Sequence, residues 1–211
     1  ADCAAGCCGG GPAVAAARPI QLGTGAGVGG AQNITVGGIF SATANSTGTI
    51  TDNDETSFNL FGGLNLQTGV AGVSAGGAIV LDAASVAGVL NPSVRLGVVN
   101  ANTGLAGGAV TVSETTTLNL GNITASSLTA NSTQGGIVDS GIITLTGMGS
   151  FSTNAANTIV LDSANIIPTI AVTGASTDAS ITGLNADVTI GGATIMSRGN
   201  LTIGTAATKN I

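Results

Sequence analysis

The sequence has 211 residues, of which 43% are hydrophobic, 7% charged and 2% aromatic, with 35 glycines and no His, Trp or Tyr. The lack of histidine excludes Ser-His-Asp and Cys-His catalysis, and four scattered Lys and Arg residues in a chain of net charge −6 argue against a nucleic-acid partner. No run of about 18 uncharged apolar residues occurs, so we expect no membrane span. The many β-branched apolar residues predict a folded chain rather than a disordered one.

Residues 1–31 form a Cys-, Gly- and Ala-rich segment, which we interpret as an irregular N-terminal arm. Its three thiols, Cys3, Cys7 and Cys8, are too few for a four-ligand zinc site in a chain without histidine. Because their number is odd, we consider them candidates for an intermolecular disulfide. A flexible tail whose thiols have no structural role is the other interpretation, and the spacing leaves both open.

From Gln32 onward the chain consists of short runs in which apolar residues alternate with Thr or Asn, as in 34–36, 117–120 and 188–190. A period of two residues predicts strands with one buried face, and no stretch has a helical period over three turns. Pairs of glycines, among them Gly107-Gly108, separate the runs and predict tight corners. We therefore predict an all-β domain over residues 32–211.

The interior of this domain must be filled by Ala, Val and Ile, because aromatic residues are so few. A β-sandwich uses bulkier core residues and hairpins with Asn-Gly or Asp-Gly turns, and neither dipeptide occurs here. A parallel β-solenoid has a narrow interior in which small side chains stack in ladders. We therefore predict a β-solenoid with roughly 20 residues per coil and about nine coils.

The solenoid segment also contains an internal duplication. We place the two copies at about 33–100 and 119–190. Two short segments recur between the copies: Thr43–Thr47 as Thr129–Thr133, and Ile79–Asp82 as Ile159–Asp162.

Acidic residues are the main candidates for a binding site. Asp52, Asp54 and Glu55 are weak candidates for calcium ligands, but their cluster lacks the turn glycine of a calcium loop, so we favour a solvated loop. Asp82 and Asp162 both follow Ile-Val-Leu, and we predict that each ends a strand by accepting backbone N–H groups. We predict no catalytic residue, no cofactor-binding residue and no cofactor.

The segment from Gly141 to Asn165, with 170–174, 180–186 and 199–203 after it, resembles the repeats of filamentous-haemagglutinin-type bacterial adhesins. The resemblance covers residues 115–205 well and the upstream part only faintly. It implies a secreted, right-handed parallel β-helix that projects from the cell surface. The implied location is therefore extracellular and bacterial.

With catalysis, nucleic acids and membranes excluded, a structural or adhesive role remains. Uncapped solenoid ends expose strand edges that invite further strands. We expect a homo-oligomeric filament or sheath built end to end, with the N-terminal arm clasping a neighbour and a host or cell surface as a possible contact. The alternative is a stalk fragment of a secreted filamentous-haemagglutinin-like adhesin. A third hypothesis, binding to ice or another crystal surface, needs a flat face of regularly spaced Thr, and Thr115-Thr116-Thr117 suggests it.

Overall fold

Short strands connected by tight corners make up the chain. The computed structural model describes residues 14–16, 20–22, 32–44, 48–52, 56–68, 76–82, 94–154, 156–174, 178–191 and 199–211. Within these ranges the regular structure is β-strand throughout, without a helix. In chain order the strands are β1 Val14–Ala16, β2 Ile20–Leu22, β3 Gln32–Val36, β4 Phe40–Ala44, β5 Ile50–Asp52, β6 Thr56–Leu60, β7 Leu64–Thr68, β8 Ile79–Leu81, β9 Val94–Arg95, β10 Val98–Asn102, β11 Val110–Glu114, β12 Leu118–Ala125, β13 Leu128–Ser132, β14 Ile137–Asp139, β15 Ile143–Leu145, β16 Met148–Thr153, β17 Ile159–Leu161, β18 Thr169–Gly174, β19 Ala179–Leu184, β20 Thr189–Ile190 and β21 Leu201–Thr205.

These strands form three parallel sheets that run along the length of the molecule. The first sheet has the order β1-β4-β7-β10-β12-β14-β17-β19-β21, with β15 also paired to β12, and the second has the order β2-β5-β8-β11-β13-β16-β18-β20. A third, three-stranded sheet has the order β3-β6-β9. Neighbours in each sheet come from successive turns of the chain, so the fold is a parallel β-solenoid. The prediction of an all-β solenoid is confirmed.

The length of a rung, meaning one turn of the solenoid, changes along the molecule. In the second sheet Ile50 pairs with Ile20 before it and with Ile79 after it, so these early rungs are long. Later rungs are much shorter, as the pairing of Val110 with Leu128 shows, and they stay short as far as β20. The uniform spacing that we predicted is therefore wrong for the N-terminal part, where the third sheet occupies additional residues. We predicted about nine coils after Gln32. The described residues after Gln32 contain eight successive strands of the first sheet.

The first sheet divides at β12. Val98 and Val99 pair with the beginning of this strand, and the register then shifts so that Ala101 pairs with Ile123. In the next rung the single long strand is replaced by two short ones, β14 and β15, which both pair with β12. Gly121 and Asn122 together lie opposite the single residue Asn100, so β12 has one extra residue, which forms a β-bulge that bends the strand.

Alternate residues of most strands face an apolar interior. In β11, for example, Val110 and Val112 are fully buried while Thr111 between them is half-buried on the outer side. In-register pairing stacks these inward residues into ladders of Ile, Val, Leu and Ala. The apolar area that each ladder removes from water stabilises the fold by about 25 cal/mol per Å².

Three of the predicted glycine corners lie between strands, as expected: Gly37-Gly38, Gly107-Gly108 and Gly135-Gly136. Among the described glycines, positive φ occurs at Gly63, Gly97, Gly104 and Gly183 and not at these pairs. A Cβ atom on Gly107 would overlap the carbonyl oxygen of Thr103 instead. Close approach of two backbones, rather than a left-handed conformation, requires glycine at this corner.

Two of the strands lie inside the segment predicted as an N-terminal arm. Val14 to Ala16 pair with Ala42 to Ala44, and Ile20 to Leu22 pair with Ile50 to Asp52. Both strands therefore extend the first and second sheets into residues 1–31. Cys3, Cys7 and Cys8 lie outside the described residues.

The recurring segments of the predicted duplication lie on different sheets. Thr43 and Ala44 belong to the first sheet and Thr129 and Ala130 to the second, whereas Ile79–Leu81 lies in the second sheet and Ile159–Leu161 in the first. The two copies of each segment therefore occupy non-equivalent faces. The duplication stays a prediction from the sequence.

Side chains of Asn and Asp connect each rung to the next at the corners. In each of five pairs an Asx side-chain oxygen accepts a backbone N–H about one rung further along the chain. The pairs are Asn100 with Asn122, Asn122 with Ile142, Asp139 with Asp162, Asp178 with Asn200 and Asp187 with Asn210, at 2.8–3.0 Å. Such bonds satisfy backbone donors that the sheets leave free at a corner. The backbone N–H of Asp162 donates to Asp139, and both Asp82 and Asp162 directly follow a strand. The acceptor role of their carboxylates stays a prediction.

The most buried of these connections runs through Asn165. Its side chain is fully buried, its Oδ1 accepts the backbone N–H of Ile143 at 2.8 Å, and its Nδ2 donates to Oδ2 of Asp139 at 2.6 Å.

We expect Asn165→Ala to lower the free energy of unfolding by about 2 kcal/mol, since it leaves a buried donor and a carboxylate oxygen without this partner. Urea unfolding measures this loss, with Asn200→Ala as the control because the Asn200 side chain is exposed. Equal losses in the two variants would contradict the prediction.

Candidate functional site

An open groove lies on the outer face of the first sheet, across β4, β7 and β10, and has a volume of about 570 Å³. Its walls are hydroxyl and amide side chains of neighbouring rungs: Ser41, Thr43, Asn65, Gln67, Asn100, Asn102 and Asn122. We call this feature the amide groove. Leu66 and Ala101 also line it, and both are almost completely buried.

Parallel pairing brings these side chains together. Ser41 pairs with Asn65, and Asn65 pairs with Asn100, so three outward side chains form one column along the stack. Thr43, Gln67 and Asn102 form a second column two positions further along the strands. Because successive residues of a strand point to opposite faces, the intervening Leu66 and Ala101 turn into the core.

The division of the first sheet places Asn122 at the edge of the amide groove. Gly121 has no side chain, and a Cβ atom there would collide with the Asn100 amide. The backbone of the bulge can therefore approach Asn100, whose Oδ1 accepts the N–H of Asn122 at 2.8 Å. This bulge re-aims a side chain in the way that such irregularities do next to functional sites.

Hydrogen bonds hold the amides of the first column in one orientation. Oδ1 of Asn122 accepts the N–H of Ile142 at 3.0 Å, and Nδ2 of Asn100 donates to Oδ1 of Asn65 at 2.9 Å. In each of the three amides, Asn65, Asn100 and Asn122, the oxygen is the atom that faces a hydrogen-bond donor, so its position is known. All of the lining residues are uncharged, so the groove offers fixed donors and acceptors without an electrostatic preference for anions or cations.

A second chemically unusual group lies in the interior. Glu114 occupies an inward position at the end of β11 and is 3% exposed. The hydroxyl of Thr116 donates to its Oε1 at 2.7 Å, whereas Oε2 is buried and has no partner at hydrogen-bond distance among the described residues. Burial raises the pKa of the Glu114 carboxyl to about 7, against the opposing effects of Thr116, the Leu96 backbone and the Arg95 charge.

The end of the second sheet is a third candidate. Ile190 continues an inward ladder and pairs with Ile170, which is fully buried, yet Ile190 is 42% exposed. The residues after β21 cover only the neighbouring corner: Ala206 donates its N–H to the Leu184 carbonyl, and Val188 donates to the Asn210 carbonyl, at 2.8 and 2.9 Å. We expected an end without a cap. The described residues after β21 form a partial cap, and none of them pairs with β20.

The described residues contain few of the sequence-predicted site residues. Asp52 ends β5 and is half-buried, whereas its calcium-ligand partners Asp54 and Glu55 fall outside the described ranges, so this site stays a prediction. Among the residues that the structure does describe, no group of three or more His, Cys, Asp or Glu side chains is placed to hold a metal ion.

The surface arrangement that the ice-binding hypothesis needs differs from the one observed. Thr115 to Thr117 form the corner between β11 and β12 and do not lie on a sheet face. On the second sheet the outward column that contains Thr111 consists of Gln21, Thr51, Val80, Thr111, Thr129, Ser150 and Ala171. Threonine thus occupies three of these seven rungs, and Val80 separates Thr51 from the other two.

Comparison with protein families, with curated proteins and with solved structures found no match. Within the described part of the chain, no helix has the length and apolar character to cross a membrane. The function must therefore be argued from the geometry of the amide groove, Glu114 and the open end of the second sheet.

Neither the amide groove nor the buried Glu114 was predicted from the sequence. The sequence distance from Ser41 to Asn65 is much shorter than the distance from Asn65 to its next partner, Asn100, so no fixed period connects the residues of the groove. Glu114 did carry a signal. The alternation of Val110 and Val112 places residue 114 on the buried face, once the strand is continued to that position.

Proposed function

We propose that this chain is an extracellular structural protein, without catalytic activity, whose solenoids stack end to end into a filament or sheath. The observation that carries the proposal is the 42% exposure of Ile190 at the open edge of the second sheet. An apolar ladder that ends in solvent gains stability when a further rung covers it. Backbone groups at the edge of a sheet also gain hydrogen bonds when a further strand pairs with them.

The partner surface that fits this end is the first rung of a second copy. In the described residues β1 and β2 are the other terminal strands of the first and second sheets. Ile20 in β2 belongs to the same inward ladder that leads to Ile190. Joining the two ends would continue that ladder from one copy into the next. A head-to-tail contact of this kind repeats without closing and produces a filament.

A stalk fragment of a filamentous-haemagglutinin-like adhesin, secreted by a bacterium, is the second candidate. The parallel solenoid and its short, regular rungs after Val110 favour it, because they match the architecture that the sequence resemblance implies. In such a stalk the rungs hold a binding tip at a distance, and copies need not associate. The oligomeric state of the purified chain separates the two proposals.

The test compares Ile190→Asp with Val160→Asp by analytical ultracentrifugation and electron microscopy. Val160 is 38% exposed and lies outward in β17, so the two variants introduce the same charge at similar exposure. We expect the unmodified chain and Val160→Asp to form rods, and Ile190→Asp to sediment as a monomer with an unchanged circular dichroism spectrum. Reductant throughout keeps Cys3, Cys7 and Cys8 from linking chains.

Two outcomes would contradict the filament. The unmodified chain would remain monomeric at high concentration, as a stalk would, or Ile190→Asp would assemble as well as Val160→Asp. Omitting the reductant in a parallel series tests the proposed role of the three cysteines. Rods that dissociate equally on dilution with and without reductant would argue against a disulfide lock.

A further inference from the structure

We propose that the amide groove is a binding site for a neutral, hydroxyl-rich chain, namely a linear oligosaccharide that lies across β4, β7 and β10. This inference concerns the side of the solenoid and is independent of contacts at its ends. It is carried by the shape of the groove, by the fixed orientation of its amides and by its lack of charge.

The shape of the groove suits an elongated ligand. Its volume of about 570 Å³ falls within the usual range for ligand sites, but it is open along one side. The groove crosses the strands of three rungs and is bordered by Asn122 of a fourth. With strands about 4.8 Å apart, this extent is roughly 15 Å along the stack. A chain of several sugar rings fits such a groove better than a compact ligand does.

The orientation of the amides is fixed before any ligand binds. The backbone N–H of Ile142 donates to Oδ1 of Asn122, so Nδ2 of Asn122 remains to donate to a ligand. The N–H of Asn122 donates to Oδ1 of Asn100, and Nδ2 of Asn100 therefore donates to Oδ1 of Asn65. Among the described residues nothing engages Nδ2 of Asn65 or of Asn122. Preorganised donors lower the entropic cost of binding.

The chemistry of the lining selects hydroxyl groups. Amide and hydroxyl side chains both donate and accept hydrogen bonds, and sugar hydroxyls also do both. A polyanion would need Lys or Arg in the groove, and an apolar helix or strand would need exposed apolar side chains. Leu66 and Ala101 face the core with exposures of 3% and 2%, so they offer little apolar surface. A neutral polyhydroxylated chain is therefore the ligand class that the groove matches.

The experiment blocks the groove without removing its hydrogen-bonded amides. Thr43→Trp places a large side chain in the second column, and Thr202→Trp places the same side chain on the outer face of the first sheet in β21, away from the groove. Each protein is titrated with cellohexaose, maltohexaose and chitohexaose while the side-chain NH₂ resonances of Asn65 and Asn122 are followed by NMR. Both variants are first compared with the unmodified chain by circular dichroism.

We expect at least one of these hexasaccharides to shift both NH₂ resonances saturably. We expect Thr43→Trp to weaken that binding at least about tenfold and Thr202→Trp to leave it within about twofold. Three results would overturn the proposal: no shift with any of the hexasaccharides, equal shifts with a heparin hexasaccharide, or shifts only with an extended Ser-Gly hexapeptide. Equal weakening by the two Trp variants would also overturn it, because the binding site would then lie elsewhere.

Discussion

Glu114→Gln is expected to remove a pH dependence of about 3 kcal/mol from the free energy of unfolding. The carboxyl has a pKa of about 7 in the folded chain and 4.5 as its ordinary value. Burial is the main cause, and Oε2 lies in the interior without a hydrogen-bond partner among the described residues. A neutral amide of the same shape keeps the acceptor for Thr116 and has no proton to lose.

The sign of this effect follows from proton binding. Below pH 4.5 both folded and unfolded chains hold the Glu114 proton, so the residue imposes no cost. Between pH 4.5 and 7 the unfolded chain releases the proton while the folded chain retains it, and stability falls as the pH rises. Above pH 7 both forms are ionised and the full cost is present. The folded state is therefore weakest, with respect to this residue, in mildly alkaline solution.

Charged groups around Glu114 limit the size of the effect. Arg95, in β9 of the third sheet, favours the ionised carboxylate, and so does the backbone of Leu96. Asp82 is an acidic residue that directly follows β8, and β8 is the strand that pairs with β11. At high pH a single positive charge therefore offsets only part of the burial cost.

Urea unfolding at pH 5, 6, 7 and 8 tests this prediction for the unmodified chain, for Glu114→Gln and for Asp162→Asn. Asp162 is exposed, so its variant removes a carboxylate from solvent rather than from the interior. We expect the difference in free energy of unfolding between Glu114→Gln and the unmodified chain to grow from pH 5 to pH 8. The Asp162→Asn variant still contains Glu114, so its free energy of unfolding should depend on pH as that of the unmodified chain does. A constant difference across this range would show that Glu114 ionises as readily in the folded chain as in the unfolded one.

The sequence predicts the class of fold because the signal for it is local. Alternation within a single short strand, as in Val110–Glu114, determines which side chains turn inward. Glycine pairs mark where the chain can turn because no Cβ atom obstructs the neighbouring backbone, as at Gly107. Neither signal requires knowledge of which strands pair. A parallel solenoid is then predicted from the scarcity of aromatic residues and from the lack of Asn-Gly and Asp-Gly turns.

The candidate sites could not be predicted in the same way, because they arise from pairing between rungs. The third sheet lengthens the early rungs, such as those that run from Ile20 through Ile50 to Ile79, and nothing within a single strand indicates that length. The amide groove needs Asn65 and Asn100 in register, and the bulge that brings Asn122 beside them. Corner hydrogen bonds likewise depend on how residues align with the next rung, and not on their neighbours in sequence.

The ladders also show how two positions in one rung share a fixed volume. Gly149 pairs with Leu128 in the rung before and Ile170 in the rung after, and Phe151 pairs with Ala130 and Val172. A Cβ atom on Gly149 would lie 3.0–3.1 Å from the edge of the Phe151 ring and 3.1 Å from Cγ2 of Ile167. The ring thus fills the space that a side chain at position 149 would occupy. Leu with Ala in one rung, and Gly with Phe in the next, are alternative ways to fill the same interior.

We therefore expect Gly149→Leu and Phe151→Ala to compensate each other. Phe151→Ala alone should lower the free energy of unfolding by about 3–5 kcal/mol, because it leaves a cavity at a fully buried site. Gly149→Leu alone should cost about 1–3 kcal/mol through contact with the ring. The double variant recreates the Leu128 and Ala130 pair of the preceding rung and should recover at least about 2 kcal/mol relative to the sum of the single losses.

Urea unfolding of the four proteins measures this coupling, with Phe61→Ala as the control because Phe61 is 62% exposed. Strictly additive losses would mean that the two side chains do not share one space, and that the interior of each rung is packed independently of this exchange.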